Sequence, residues 1–414
     1  MKKLKLLFYA ANFTPELTGS GKYNGELVDW LAQRGHSIDV ITTHPHYPKW
    51  KIDPAYRGKL WTVDKLNNVT IYRCPLYVPM NPSGFKRILH EISFAVSSFP
   101  VWLKVFFSNY DAVVCVSPPM FIGLLPYLYG KLKHIPYLFH IQDLQVDAAR
   151  TLGLIKNERL LYLLGNIEKF LLKKATVVSS IGLGMRHMIL SKGVQSNKFF
   201  MLPNWVDTKF IRPLNKHESF RSLYGFQPSD LVIMYAGNLG AKQGLEILLD
   251  VAEILISNKS IKFLINGEGA IKQMLLVDSH KRKLSNVFFG PGVPYEDLPR
   301  LMSTADIHVV IQKRGMTNIV MPSKLTTILA SGGVTIVTAE ESSLLAQQLI
   351  SDNVALIVQP ESAVLLAQAI LDLAISDNLV KLKENARRYA VLMLNKDTLL
   401  LPYEKKIMSV SKRK

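Results

Sequence analysis

The feature that most constrains this chain is an alternation that runs its whole length and restarts once. Short apolar, β-branched runs occur at residues 4–10, 37–43, 69–74, 111–117, 137–141, 176–180 and 199–202, then again at 231–236, 261–266, 286–289, 306–311, 334–338 and 355–358. Most are separated by helix-length segments, for example 22–34 and 245–256. Strands joined by helices cannot pair as hairpins, so the pattern predicts parallel sheets with helices on both faces. The restart follows a looser stretch, 206–230, containing Pro213, Gly225 and Pro228. The expected parse is α/β: two doubly wound, Rossmann-like domains over 1–205 and 206–390, then a C-terminal helix and basic tail over 391–414. Such sheets take ligands outside the carboxyl ends of their strands, so two facing domains would make one deep cleft.

Composition narrows the class. A chain of 414 residues with 48% hydrophobic and 20% charged residues is a folded one with more than one core. The two cysteines, Cys74 and Cys115, have neither metal-ligand spacing nor a disulfide framework, which fits a reducing cytoplasm. The net charge is +18, and the first 205 residues hold 25 of the 50 Lys and Arg but 12 of the 32 Asp and Glu. That asymmetry points to an anionic partner for the first half. No zinc finger or RNA-recognition signature accompanies it, so an anionic membrane surface is expected and no nucleic acid.

Three apolar segments bear on membranes. The N-terminus begins like a signal peptide, but its apolar run stops at Asn12 without a cleavage-type ending and reads as a buried strand. The uncharged stretch 112–130 is interrupted by Pro118, Pro119 and Pro126 and reads as strand, turn and helix. Residues 85–107 combine basic flanks (Lys86, Arg87, Lys104) with Phe94, Phe99 and Trp102. Two readings stand: an interfacial helix, or a helix packed in the core.

Three Gly- or Pro-marked turns enter helices, where unpaired amides and a partial positive charge favour an anion. The first holds Gly19 and Gly21; Asn24 stands where the dinucleotide fingerprint has its third Gly. The second runs from Gly237 and Asn238 to Lys242 and Gln243, and the third is Pro322-Ser323-Lys324. Pro322 suits a first helical turn and Ser323 is a capping-type residue. A lysine at a helix start opposes the helix dipole, a conflict that a bound anion resolves. The pair His44 and His46 lacks further ligands and reads as loop chemistry, so no metal site is expected.

These stretches resemble the family 4 retaining glycosyltransferases. The resemblance rests on the turn from Gly19 with the helix ending Trp30-Leu31-Ala32-Gln33-Arg34-Gly35-His36, on Pro203-Asn204-Trp205-Val206-Asp207, and on Gly237 through Gly244. More narrowly, Pro15-Glu16-Leu17-Thr18-Gly19, Arg73 through Pro79, His140-Ile141-Gln142-Asp143, Gln312-Lys313-Arg314-Gly315 and Pro322-Ser323-Lys324-Leu325 resemble a bacterial exopolysaccharide subgroup. The resemblance implies the GT-B fold, with a C-terminal helix returning to the first domain. It implies transfer of a sugar from a nucleotide-diphosphate donor to a lipid-linked precursor of exopolysaccharide, capsule or O-antigen, by a peripheral protein on the inner face of the cytoplasmic membrane.

The same resemblance implies roles residue by residue. His140 would contact the transferred sugar, with Gln142 and Asp143 on the acceptor side or behind it. Lys242 would hold the donor pyrophosphate, and Ser323 and Lys324 would make a second phosphate contact. Gly19 and Gly21 would close over the donor, and Gly237, Asn238, Gln243 and Pro322 would line it. Two departures stand out: Asn238 replaces the usual Arg before the lysine, and Ile319 and Thr327 occupy the places of two glutamates, the later of which reaches the nucleotide ribose. The nucleotide is therefore left open between UDP and GDP, and the sugar unassigned. No Asp-x-Asp occurs, so lysines rather than a divalent metal would carry the leaving charge, and no cofactor is expected. Two alternatives remain, a sugar-nucleotide epimerase and a non-catalytic partner in a polysaccharide assembly complex.

Overall fold

A computed structural model describes residues 2–16, 19–80, 84–151, 153, 155, 157–240, 243–314, 322–376 and 378–411. The chain divides into two compact units, Met1–Pro203 with Leu400–Lys414, and Asn204–Leu399.

Along the first unit run β1 (Lys5–Ala10), α1 (Gly19–Gln33), β2 (Ser37–Thr43), β3 (Thr62–Leu66), β4 (Val69–Cys74), α2 (Gly84–Ser97), α3 (Phe99–Phe106), β5 (Ala112–Ser117), α4 (Leu124–Lys133), β6 (Tyr137–Ile141), α5 (Gln145–Thr151), α6 (Glu158–Lys174), β7 (Val177–Ser180), α7 (Leu183–Ser191) and β8 (Phe199–Met201). The strands form one sheet in the order β3-β4-β2-β1-β5-β6-β7-β8. All pair in parallel except β3, which is antiparallel to β4. The side chains of β5 and β6 are buried without alternation, as strands covered on both faces must be. Strand order reverses between β1 and β5, which puts the loop after β1, and so Gly19, at a topological switch point.

β3 is absent from the apolar runs of the sequence for a physical reason. It is an edge strand, with Val63 and Leu66 exposed, and therefore carries no buried stripe to announce it. The segment 85–107 breaks at Ser98 into two helices, each with a buried and an exposed face. Phe94, Ser98 and Trp102 are buried, whereas Leu89, Ile92, Val96, Phe99 and Leu103 are exposed. Stretch 112–130 resolves into β5, a short 3-10 turn and α4. Among the described residues no single helix is long and apolar enough to cross a membrane.

The second unit holds β9 (Leu231–Ala236), α8 (Glu246–Ile254), β10 (Ile261–Asn266), α9 (Lys272–Lys281), β11 (Val287–Gly290), α10 (Leu298–Met302), β12 (Ile307–Val310), α11 (Lys324–Ala330), β13 (Val334–Thr338), α12 (Leu344–Ser351), β14 (Leu356–Val358), α13 (Ala363–Ala374) and α14 (Asn378–Met393). Its sheet is fully parallel in the order β11-β10-β9-β12-β13-β14, the doubly wound order with its switch between β9 and β12. The alternation within β9 separates two cores: Ile233 and Tyr235 pack with Leu248, Leu275 and Ile370, while Val232 and Met234 pack with Phe226, Leu329 and Ala386.

The stretch 206–230 is not a loose linker. Val206, Ile211 and Phe226 belong to that second core, and the buried Arg221 guanidinium donates to Asp306 Oδ2 at 3.1 Å. The last helix, α15 (Lys396–Ser411), returns its residues from Leu400 onward to the first unit. There the buried Glu404 carboxylate accepts from Arg34 Nε at 3.0 Å, Arg34 Nη2 at 2.9 Å and His36 Nε2 at 2.9 Å.

Candidate functional site

In the second unit, three loops gather at the carboxyl ends of β9, β10 and β11. Leu239 N donates to Glu268 O at 2.8 Å, Ile271 N to Leu239 O at 3.1 Å and Gly267 N to Gly290 O at 3.2 Å. This zipping needs bare backbone. A Cβ on Gly267, whose φ is +142°, would stand 1.9 Å from the Gly237 carbonyl oxygen. Gly267 and Gly269 were not singled out from the sequence, although a Gly-x-Gly turn directly after the strand 261–266 carried the signal.

Into the same place comes Lys324, from the first position of α11. Its Nζ lies 3.6 Å from the centroid of the Tyr235 ring and 3.0 Å from where a Gly237 side chain would begin. It has no carboxylate partner among the described residues. Burial pushes its ammonium down to about 7, because the Tyr235 face replaces water without supplying a full negative charge. Gly237 and Asn238 are exposed, and Tyr235 donates its hydroxyl proton to the Asn238 carbonyl at 2.9 Å. Gln243 Oε1 is buried without a hydrogen-bond partner among the described residues. Lys313 lays its Cε 2.9 Å from the position of a Gly244 side chain.

Other expected residues stand differently. Ser323 sits at the cap position of α11, but its backbone is already helical and its side chain makes no capping bond. Its hydroxyl is exposed, and Pro322 before it is buried. Lys242 and Ile319 lie outside the described residues. Thr327 is within α11.

In the first unit, Gly19 opens α1 with φ +59° and is exposed. Gly21 is buried, and a Cβ there would stand 2.9 Å from Glu16 Cβ, so it makes room for Glu16 rather than facing open space. Glu16 is a residue the sequence reasoning left without a role. Its carboxylate accepts from His46 N and Tyr47 N, both at 2.9 Å, and from Asn12 Nδ2 at 2.8 Å, fastening the loop after β2 to the start of α1.

His140, near the end of β6, is buried. With the Gln142 amide as assigned, its Nε2 donates to His140 Nε2 at 2.9 Å, so the ring proton sits on Nδ1 and goes to Ser179 Oγ at 3.0 Å. Burial pushes the imidazole down to about 4, which keeps it neutral. His140 can reach a ligand only if Gln142 turns aside; Asp143 follows on the same loop, half-buried. His44 Nε2 bonds the Leu60 carbonyl at 2.7 Å and His46 Nδ1 the His44 carbonyl at 3.0 Å.

Comparison with known proteins gives this geometry its context. Residues 18–205 match the family described as glycosyl transferase 4-like domain, and residues 217–391 match glycosyl transferases group 1. The chain is 37% identical over 404 residues to the putative colanic acid biosynthesis glycosyl transferase WcaI of Escherichia coli K12, covering 96% of this chain and 98% of that one. In fold it is similar to sucrose-phosphate synthase from Thermosynechococcus elongatus, with TM-score 0.77, 16% identity and 99% of both chains covered. It is also similar to Anabaena HepE, solved in complex with UDP, with TM-score 0.73, 13% identity, and coverage of 98% of this chain and 100% of that one. Two α/β units of the GT-B kind, with family matches over residues 18–205 and 217–391 and this relative over 96% of the chain, place the chain in the group 1, type 4-like glycosyltransferases.

Proposed function

We propose that the chain transfers a sugar, with retention at the anomeric carbon, from a nucleoside-diphosphate donor to a lipid-linked polysaccharide precursor at an anionic membrane surface. The observation that carries this reading is the ammonium of Lys324, set against Gly237 at the switch point of the second sheet with no carboxylate partner among the described residues. A diphosphate is the ligand that such a cation, beside exposed backbone at Gly237 and Asn238, would hold. The name of the Escherichia coli relative, in colanic acid biosynthesis, and the UDP bound to HepE support the substrate classes.

The hard step is departure of the nucleoside diphosphate. As the bond between anomeric carbon and phosphate oxygen breaks, charge grows on that oxygen, and Lys324 would meet it, together with Lys242 as the resemblance implies. The acceptor hydroxyl oxygen forms its bond to the same carbon on the same face, and its proton passes to the leaving phosphate. The residues in hand support a step without a metal: charge stabilisation falls to lysines. On the first unit, the exposed Val96, Phe99 and Phe107 on α2, α3 and just beyond, with Lys86 and Lys104 near them, support docking on an anionic bilayer.

The test is a screen of radiolabelled nucleotide sugars with purified protein and a lipid-diphosphate acceptor, followed by assignment of the product anomer by NMR. Lys324→Ala is expected to abolish donor turnover while the protein stays folded. Near-wild-type turnover in that variant, or an inverted anomer, would overturn the reading.

A further inference from the structure

The first unit holds a second constellation, which the donor site does not use. In α2, Arg87, His90, Glu91 and Phe94 lie at helical spacing on one face, while Leu89, Ile92 and Val96 occupy the exposed one. The inner face meets the loop after β2. The Arg87 guanidinium stacks on the Trp50 ring at 5.3 Å, and Trp50 and His46 pack against His90 with ring centroids 5.2 and 4.9 Å away.

Three features of this cluster ask for a ligand. Arg87 makes no salt bridge among the described residues, although its charge reaches Glu91, where burial raises the carboxyl and Arg87 partly lowers it. Glu91, one turn further along α2, accepts instead from Gln145 Nε2 at 2.8 Å. Trp50 has φ +50°, a left-handed conformation costing a bulky residue about 1 kcal/mol or more, and it is held there by a loop fastened through Glu16. His46 and His90 each donate Nδ1–H to a backbone carbonyl, of His44 at 3.0 Å and Tyr77 at 2.5 Å, which leaves both Nε2 atoms as acceptors. Burial lowers both imidazoles, so they remain neutral. A cation on an aromatic face, beside two neutral nitrogen acceptors, fits a phosphate next to a sugar ring with its hydroxyl donors.

We propose that Arg87, Trp50, His46 and His90 form the binding site for the sugar diphosphate of the acceptor, with Arg87 as phosphate ligand and Trp50 as the platform for the sugar. The inference rests on the glycosyl-transfer reading and supplies its acceptor side. α2 then serves two purposes: its outer face meets the bilayer, and its inner face receives the headgroup of a lipid anchored in that bilayer.

The diphosphate could instead belong to the nucleotide, so the experiment separates the two. Isothermal titration measures phenoxyundecyl diphosphate carrying one hexose as the lipid probe, and UDP and GDP as donor probes, against wild type, Arg87→Gln and Arg87→Lys. Loss of one charge-assisted contact weakens lipid-probe binding about tenfold or more in Arg87→Gln, with partial recovery in Arg87→Lys. The affinity for UDP or GDP, whichever the wild type binds, stays within about twofold. Equal lipid-probe affinity in wild type and Arg87→Gln overturns the proposal. So does a wild type that does not bind the lipid probe, and so does a matching loss of nucleotide affinity, which assigns Arg87 to the donor. A wild type that binds neither nucleotide refutes the donor reading on its own and leaves the Arg87 comparison readable.

Discussion

Lys324 holds its ammonium 3.6 Å above the ring of Tyr235, a contact between a cation and an aromatic face where a carboxylate would be the ordinary partner. The two residues come from different elements on either side of the switch point: Tyr235 near the end of β9 and Lys324 at the start of α11. In the free protein the arrangement leaves the lysine half titrated near pH 7.

Proton uptake on nucleotide binding follows. A bound diphosphate raises the lysine back toward its ordinary value of about 10.4, so binding at pH 8 should take up close to one proton. Affinity should fall up to about tenfold per pH unit as pH rises above 7, until the value of the bound state is reached. Titration of the nucleotide in two buffers of different ionisation enthalpy at pH 8 measures this directly. Heat that does not depend on the buffer would count against Lys324 as the phosphate ligand.

The same lysine affects stability with a definite sign. Its folded value, about 7, lies below the unfolded one, so between these limits the unfolded chain binds more protons and stability rises with pH. Lys324→Met removes the titrating group and should flatten the stability curve over pH 7–10, as read from urea midpoints. An unchanged slope in the variant would show that the ammonium is well solvated.

Gly267→Ala should separate packing from charge. Its Cβ would meet the Gly237 carbonyl oxygen at 1.9 Å, so the two loops must part. A cost of about 1–3 kcal/mol and loss of nucleotide binding are expected. Gly292→Ala is the control, because the nearest atom to its Cβ is Glu268 Cγ at 3.8 Å. Thermal melts and nucleotide titration of both variants check this, and equal behaviour would mean that the loops are free to move apart.

Much of the fold was legible from apolar runs alone. The stretches 37–43, 69–74, 137–141, 231–236, 261–266 and 334–338 coincide with β2, β4, β6, β9, β10 and β13, because strands with one or both faces buried leave little choice of side chain. β3 was not legible because an exposed edge strand carries no such constraint. The stretch 206–230 looked loose because its core contacts, Val206, Ile211 and Phe226, fall at no regular period. For the site, Gly237 and Lys324 were visible as turn residues, but the aromatic under the ammonium was not, since Tyr235 reads as one more buried strand residue. Trp50 and Arg87 are 37 positions apart, and only the packing of α2 on the loop after β2 joins them.

The last helix offers a prediction that acid should expose. Burial alone would raise the Glu404 carboxyl, but hydrogen bonds from Arg34 and His36 outweigh it and hold the group below its ordinary range. A carboxylate depressed in the folded state adds stability that is complete above its unfolded value of about 4.3 and lost as pH falls through the folded one. Glu404→Gln should therefore cost about 1–3 kcal/mol at pH 7, and the gap to wild type should close below about pH 4. Urea unfolding of both proteins across pH 3–7 measures the gap. A difference that persists unchanged into acid would mean that packing of α15, centred on the buried Leu400, Tyr403 and Ile407, holds the helix in place rather than the carboxylate.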